Sequence, residues 1–491
     1  MSPFDQYETV VGLECHVQLL TDSKLFSPAK NRYGDPPNEN VDVVDIGLPG
    51  VLPVINARAV EFALRLGLAL GCEINPRSVF ARKHYFYPDL PKGYQISQYD
   101  QPLCTGGSVL IELEDGSERR IALTRIHVEE DAGKNLHVEG TRASYCDYNR
   151  AGTPLLEVVS EPELRTPEEA SAYMRALRAI VMYLGVCDGN LQEGSMRADA
   201  NVSVRKKGSD VLGQRTEMKN LNSPRFLGQA IEYEARRQIL ELEAGRAIVQ
   251  ETRLWDPDKK ESRSMRTKEE AHDYRYFPDP DLPPLIVTDA EIEAVREALP
   301  ELPREKRLRF VNELGLSPYD AGVLTEEKAV ADYFERALQA HDNAKGIANW
   351  ILNEVLRVVK ERASGEGEGP AIFQVGISPE AIAKLVKLID DGVISGKIAK
   401  QVFAELEAGR GDDPERIVED KGWKVERDEG ALVAAIDKVL ADNAAQVAAY
   451  KGGKTQVFGF FVGQVMRATQ GKADPAEVNR LLKEKLDEGK T

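Results

Sequence analysis

Paired cysteines are missing from this sequence. Its 491 residues hold five, Cys15, Cys72, Cys104, Cys146 and Cys187, and none forms a CxxC pair. That excludes a zinc knuckle or a disulfide framework and makes a reducing cytosol the simplest setting. No apolar run reaches the roughly 18 residues that cross a bilayer. The opening stretch MSPFDQYETVVGLECH has no basic region followed by an apolar run, so it does not read as a signal peptide. A phosphate loop of the GxxxxGKS/T type is also missing, and no Rossmann glycine fingerprint follows a strand. A bound nucleotide would therefore have to be held by a metal, arginines and backbone amides. Positive charge is in short supply: 64 Lys and Arg against 81 Asp and Glu leave a net charge of -17. That argues against broad, non-specific binding of nucleic acid, though not against a local basic face.

What is present is globular in composition, with 42% hydrophobic and 30% charged residues. The length suggests two to four domains. Up to about residue 295 the chain reads as strand and loop, with alternating stretches such as TVVGLECHVQL, ALTRIHVEE and ADANVSVRK. Two helices are expected within it. Residues 56–70 put Val60, Ala63, Leu64 and Leu68 on one stripe. Residues 166–185 open with Thr166 as N-cap and Pro167 at the first helical position, and close at Gly185. This predicts an α+β fold on an antiparallel sheet. The prolines of DPDLPPLIV then form a connector. The expected domains are 1–295, a helical domain at 296–363, an exposed SGEGEGP linker (364–370) and a helical tail at 371–491. Ser378 and Pro379 start a tail helix with an Ile382–Leu385–Val386–Ile389 stripe.

Chemistry gathers on the polar faces of the strands. In the first, Val11, Leu13, Cys15, Val17 and Leu19 face one way and Glu14, His16 and Gln18 the other. His127 and Glu129 share a face, as do Asp199, Asn201 and Ser203, and Glu217 with Lys219. Clustered carboxylates repel unless a cation neutralises them, and oxygen-rich sites suit Mg²⁺ or Mn²⁺. Glu14, His16, Glu129, Glu157 and Asp199 are thus candidate metal ligands. Equally, such alternation describes the wet face of any sheet. The ARKHYFYP stretch sets Arg82, Lys83 and Tyr85 among aromatics able to stack a base and hold phosphates. Asp147, Asn149 and Arg150 precede a Gly-Thr-Pro turn and read as part of a site or as a salt-bridged turn.

Together, VVGLECHVQL, KLFSP, RKHYFYPDLPKGYQISQYDQP, IHVEEDAGK, DYNRAGTPLLEVVSEP, MRADANVSV, EMKNLNS and HDYRYFPDPDLPPL resemble the B subunit family of the bacterial aspartyl/glutamyl-tRNA amidotransferases. HDNAKGIANWILNE and FGFFVGQVMRATQGKADPAEVNRLLKEKL resemble its tail, so the likeness covers nearly the whole chain. The resemblance implies a cradle domain, a helical domain and a tail that embraces tRNA. It also implies a cytoplasmic reaction. ATP phosphorylates the side-chain carboxylate of Glu on tRNA(Gln) or Asp on tRNA(Asn), and ammonia then displaces phosphate. It puts Mg²⁺ on Glu14, His16, Glu129, Glu157 and Asp199. Lys83 and Tyr85 are expected beside the reacting groups, and Arg82, Asn149, Arg150, Glu217 and Lys219 around the nucleotide. Lys92 is expected by the ammonia route, and Lys454, Arg467 and Lys472 on tRNA phosphates. The chain has no amidase nucleophile segment of its own, so an amidase (glutaminase) subunit and a small third subunit are the expected partners. Alternatives are a non-catalytic RNA-binding subunit, an archaeal-type activator with an extra inserted domain, and a free-standing ligase of the glutamine-synthetase kind.

Overall fold

Alternation governs β1 (Tyr7–Gln18), whose odd positions Val11, Leu13, Cys15 and Val17, with Leu19 just beyond, are all at most 2% exposed. In the computed structural model, residues 3–137, 143–267, 274–362, 372–424, 429–469, 473 and 475–487 are described. The chain divides into two compact units, Met1–Pro303 and Arg304–Thr491. No helix among the described residues is long and apolar enough to cross a membrane.

The first unit is an α+β fold on a ten-stranded sheet. Its elements used below are β1, α1 (Ala57–Ala69), β2 (Phe80–His84), β3 (Tyr94–Gln98), β4 (Glu118–Glu130), β5 (Pro154–Ser160), α2 (Pro167–Tyr183), β6 (Met196–Lys206), β7 (Thr216–Leu221), α3 (Pro224–Glu243), β8 (Glu251–Asp256) and β9 (Glu261–Thr267). The long strands lie in the order β9-β8-β7-β6-β1-β5-β4. β2 and β3 pair separately as a hairpin.

The sheet departs from the expected antiparallel pattern at one place. β7 and β8 run parallel, because α3 carries the chain back across the sheet between them, as a parallel pair requires. α3 is a third helix where two were expected. Its opening carries the same signal as α2: Ser223 accepts from the Phe226 amide at 3.1 Å and Pro224 follows at the first position. In α2, Thr166 caps Glu169 at 3.1 Å. In α1 the buried face is centred on Ala59, Phe62, Ala63 and Leu66, and the expected Val60 and Leu68 are only half-buried.

The second unit is helical and holds two apolar cores. One runs from Phe310 to Val418 and joins helices before residue 363 to helices after 371, so a division at the SGEGEGP stretch is not a division between cores. The stretch itself lies outside the described residues. Ser378 caps its helix as expected, accepting from the Ala381 amide at 3.1 Å. The other core is built on Ile436, Phe461, Val465, Val478 and Leu482.

Candidate active site

Sheet register brings the polar faces together. His16 on β1 is the pair partner of Glu157 on β5, and Glu157 in turn of His127 on β4. One row along, Glu14 pairs with Asp199 on β6. His16 Nε2 lies 3.7 Å from Glu129 Oε1 and 3.5 Å from Glu157 Oε2. His127 Nε2 closes the group from the other side, 3.6 Å from Glu129 Oε2 and 3.5 Å from Glu157 Oε2.

These groups shape one another's ionisation. Burial works against protonating His127, but Glu157 and Glu129 outweigh it and push the imidazole up to about 9. His16 is raised too, with burial and Arg197 opposing the two carboxylates. Glu157 is buried, which favours its acid form, yet the imidazoles hold it well below the usual carboxylate range.

His16, Glu129 and Glu157 also form a donor set fit for a divalent cation, with their ligand atoms within 4.8 Å of one another. Two hard oxygens and one imidazole suit Mg²⁺ or Mn²⁺. Among the described residues the buried His16 Nδ1 finds no hydrogen-bond partner, while Nε2 faces the two carboxylates. Glu14 and Asp199 stand in the same cavity with other partners. Glu14 Oε1 accepts from Asn201 Nδ2 at 2.8 Å, and Asp199 Oδ2 accepts from Lys219 Nζ at 2.5 Å. Glu217 is also within reach, 3.4 Å from Lys219 Nζ.

The cavity measures about 580 Å³ and is lined by Glu14, His16, His127, Glu129, Glu157, Asp199, Glu217 and Lys219, and by Lys83 and Tyr85. Lys83 Nζ lies 4.9 Å from the centre of the Tyr274 ring. Burial opposes its charge, but Tyr276, Glu129 and Glu157 raise the ammonium above its ordinary value. Tyr276 stacks on Tyr99 with centroids 4.2 Å apart. A second lobe of about 390 Å³ shares His16, Lys83, Tyr85, Glu129, Asp199 and Lys219, and adds Asp131, Arg150 and Arg197. There Arg197 Nη2 donates to Asp131 Oδ1 at 3.0 Å. Burial favours the acid form of Asp131, but Arg197 and Arg150 hold its carboxyl down at about 2.

Three expected residues do not line either lobe. Arg82 points away from Lys83, as neighbours on a strand do, and is held by Asp279 and Asp281, each at 2.8 Å. Asn149 builds a turn, donating to the Pro36 carbonyl at 2.8 Å and accepting from the Asn40 amide at 2.9 Å. Lys92 is buried in an ion pair with Glu130. In the tail, Lys454 and Arg467 are exposed near opposite ends of the helix Phe458–Ala468, and Lys472 lies outside the described residues. Arg197, Tyr274 and Tyr276 are site residues that the sequence reading does not single out, and it leaves His127 out of the ligand set. Alternation already puts His127 beside Glu129, and Arg197 alternates with Asp199 in MRAD. The two tyrosines carry no such signal, because their place beside Lys83 depends on a distant segment.

The family profile described as "GatB/GatE catalytic domain" matches residues 9–293, and that described as "GatB domain" matches residues 332–486. A protein of Alkalilimnicola ehrlichii, named as the B subunit of aspartyl/glutamyl-tRNA(Asn/Gln) amidotransferase, is 56% identical over 483 residues, covering 98% of this chain and 100% of its own length. Proteins of the same name from Thioalkalivibrio sulfidiphilus and Geotalea daltonii are 55% and 54% identical, each over 98% of this chain and 100% and 99% of their own lengths. The chain belongs to the family of aspartyl/glutamyl-tRNA amidotransferase B subunits.

Proposed function

We propose that this chain uses ATP to activate the side-chain carboxylate of Glu on tRNA(Gln), or of Asp on tRNA(Asn), for amidation in the cytosol. A carboxylate has no good leaving group, so ammonia does not displace oxygen from it directly. Attack of a carboxylate oxygen on the γ-phosphorus breaks the bond to ADP and gives an acyl phosphate. Ammonia then attacks the acyl carbon, phosphate leaves, and a proton is lost from nitrogen. The ammonia comes from a glutamine-hydrolysing amidase subunit, with a small third subunit completing the assembly.

The observation that carries this reading is the meeting of an imidazole and two carboxylates fit for a cation with Lys83 and Lys219 around one cavity, and with Arg197 in the adjoining lobe. Two anions, a carboxylate and a triphosphate, must be held in contact, and positioning with charge neutralisation is what phosphoryl transfer asks of a protein. His16, Glu129 and Glu157 would hold Mg²⁺, which would supply positive charge to the phosphates. Lys83 and Lys219 add fixed ammonium groups on two sides. Arg150 and Arg197 suit the charged end of the aminoacyl group in the second lobe.

The test is ATP hydrolysis by the chain with its amidase partners, Mg²⁺ and ammonia, comparing Glu-tRNA(Gln), Asp-tRNA(Asn) and uncharged tRNA. Turnover that requires one misacylated tRNA and yields its amidated form is the expected result. Binding of all three without turnover would reject the reading in favour of a non-catalytic RNA-holding subunit.

A further inference from the structure

β2 divides its side chains between two tasks. Lys83 and, just past the strand's end, Tyr85 line the cavity, whereas Arg82 and His84 take the opposite face. Beside β2 runs the segment 274–281. Its backbone hold is short: Phe277 pairs with Arg82 and Pro278 with Ala81, and the Asp279 amide donates to the Phe80 carbonyl at 2.8 Å. Pro278 has no amide to add. Side chains supply the rest of the grip. Arg82 lies 4.2 Å from the centre of the Tyr94 ring on β3 and spans two carboxylates, Nε donating to Asp279 Oδ2 and Nη2 to Asp281 Oδ2, each at 2.8 Å. A planar fork on a ring face, shared by two carboxylates, is a directional hold that an ammonium does not reproduce. His84 adds to it. Its Nδ1 lies 3.3 Å from the Tyr274 carbonyl, which only accepts, so the ring donates there, and it stacks on Phe277 with centroids 4.9 Å apart.

On its other side the same segment faces the cavity. Tyr274 and Tyr276 line it together with Lys83, Glu129 and Glu157. The Tyr274 ring lies against the Lys83 ammonium, and the Tyr276 ring is backed by Tyr99. Between the two tyrosines Arg275 has φ 48°, a left-handed conformation uncommon for a residue with a side chain. Such a backbone persists where its surroundings over-determine it, and strained positions of this kind gather at functional sites. Here the contacts of Arg82 and His84 hold the segment from the outer face, and the Tyr99 ring holds it from the cavity side.

We propose that Arg82 is a positioning residue for the activation reaction: it clasps the segment Tyr274–Asp281 so that the two tyrosines wall in Lys83 and keep water from the acyl phosphate. This rests on the ATP reading above and adds how the intermediate is protected. Water that attacks the acyl carbon in place of ammonia breaks the same bond to phosphate and, on losing a proton, returns the carboxylate. One ATP is then consumed and no amide is formed. A wall of packed rings around the reacting groups excludes that side reaction.

The test is the ratio of ADP formed to tRNA amidated, measured on the chain assembled with its amidase partners, with glutamine, Mg²⁺, ATP and the misacylated tRNA. Wild type, Arg82→Gln, Arg82→Lys, Asp281→Asn and Tyr276→Ala are compared. Arg82→Gln and Tyr276→Ala raise the ratio about threefold or more over wild type, because water then reaches the intermediate. Arg82→Lys rises nearly as far, since it keeps the charge but not the fork. The KM for ATP stays within about twofold in the Arg82 variants, because the clasp touches no nucleotide. Asp281→Asn alters only the exposed end of the clasp, so it folds whatever the Arg82 variants do, and it gives a smaller rise. A mere loss of folded protein lowers both products together and leaves the ratio where it was. A ratio unchanged in every variant would overturn the clasp. So would a raised KM for ATP at unchanged ratio in Arg82→Gln, which would put the guanidinium on the nucleotide. A wild type that forms no ADP in response to misacylated tRNA rejects the ATP reading and the clasp with it.

Discussion

Glu157 stands between two imidazoles, facing His16 on one neighbouring strand and His127 on the other. Its charge raises both rings above the ordinary imidazole value, and it is one of three groups fit to hold a cation. Replacing it by Gln keeps size and hydrogen-bonding shape and removes only the charge. Glu157→Gln should lower tRNA-dependent ATP turnover by about 10²–10³, the usual cost of losing one preorganised electrostatic group. tRNA affinity, measured by filter binding, should stay within about twofold if the proposed phosphate contacts of the tail carry it, since the strand of Glu157 belongs to another core. Equal losses in turnover and tRNA binding would take Glu157 out of the chemistry. A different residue-scale prediction concerns stability. Lys24, of the KLFSP stretch, is fully buried and donates to Asp45 Oδ2 at 3.0 Å and to the Tyr148 carbonyl at 3.3 Å. Burial pulls its ammonium below the ordinary lysine value and Asp45 opposes that pull. Asp45→Ala strands a buried cation and should cost about 3–5 kcal/mol in denaturant unfolding. A loss below about 1 kcal/mol would mean that water reaches Lys24.

At the level of elements, the site depends on an irregularity in β7. The pairing between β6 and β7 shifts between Ala198 and Ala200, and Asn220 beside that shift has φ 69°. Asn tolerates the left-handed region better than most residues, and here its side chain also donates to the Trp255 carbonyl at 3.0 Å. The bulge aims Lys219 at Asp199. Asn220→Val should cost about 1–2 kcal/mol in unfolding free energy, since a β-branched residue resists that backbone. It should also reduce ATP turnover more than it reduces metal affinity, because the His16 cluster lies on other strands. Metal loss outrunning turnover loss would show the bulge to be a support for the cluster instead. This element also marks the limit of what a sequence reveals. Alternation along β1 puts Glu14 and His16 on one face, and Thr166-Pro167 and Ser378-Pro379 announce their helices, since each signal is local. α3 carries an equally local signal in Ser223-Pro224, hidden only by the strand-rich segments on either side. Strand order is not local. Nothing in β1 says that β5 and β6 flank it, and the convergence of Glu157 and Asp199 follows from the family resemblance rather than from spacing. Arg82 shows the other limit: the sequence around it does not reveal that Asp279 and Asp281, nearly 200 positions away, hold its guanidinium.

For the whole molecule, the arrangement of apolar cores sets what can be removed without harm. The core from Phe310 to Val418 and the core from Leu432 to Leu486 share no buried residue. The sequence reading puts a tail boundary at 371, but helices on both sides of that point bury one another's side chains. A cut there would strip Ile382, Leu385 and Val386 from a core that Phe334 and Ile351 also need. A cut after Lys424 removes the last core alone. The chain 1–424 should therefore keep the unfolding transition of the remainder, read by circular dichroism, while losing Lys454 and Arg467. Both are exposed, near opposite ends of one helix, so they suit separate phosphates rather than one. With the overall charge at -17, the proposed binding of RNA calls for local positive groups of this kind. Truncation at 424 should weaken tRNA binding by at least about tenfold and flatten the dependence of log K on log salt, by roughly 0.7–0.9 for each phosphate no longer neutralised. A truncated chain that folds and binds tRNA with unchanged affinity and salt slope would remove the tail from RNA recognition and leave that role to the first unit.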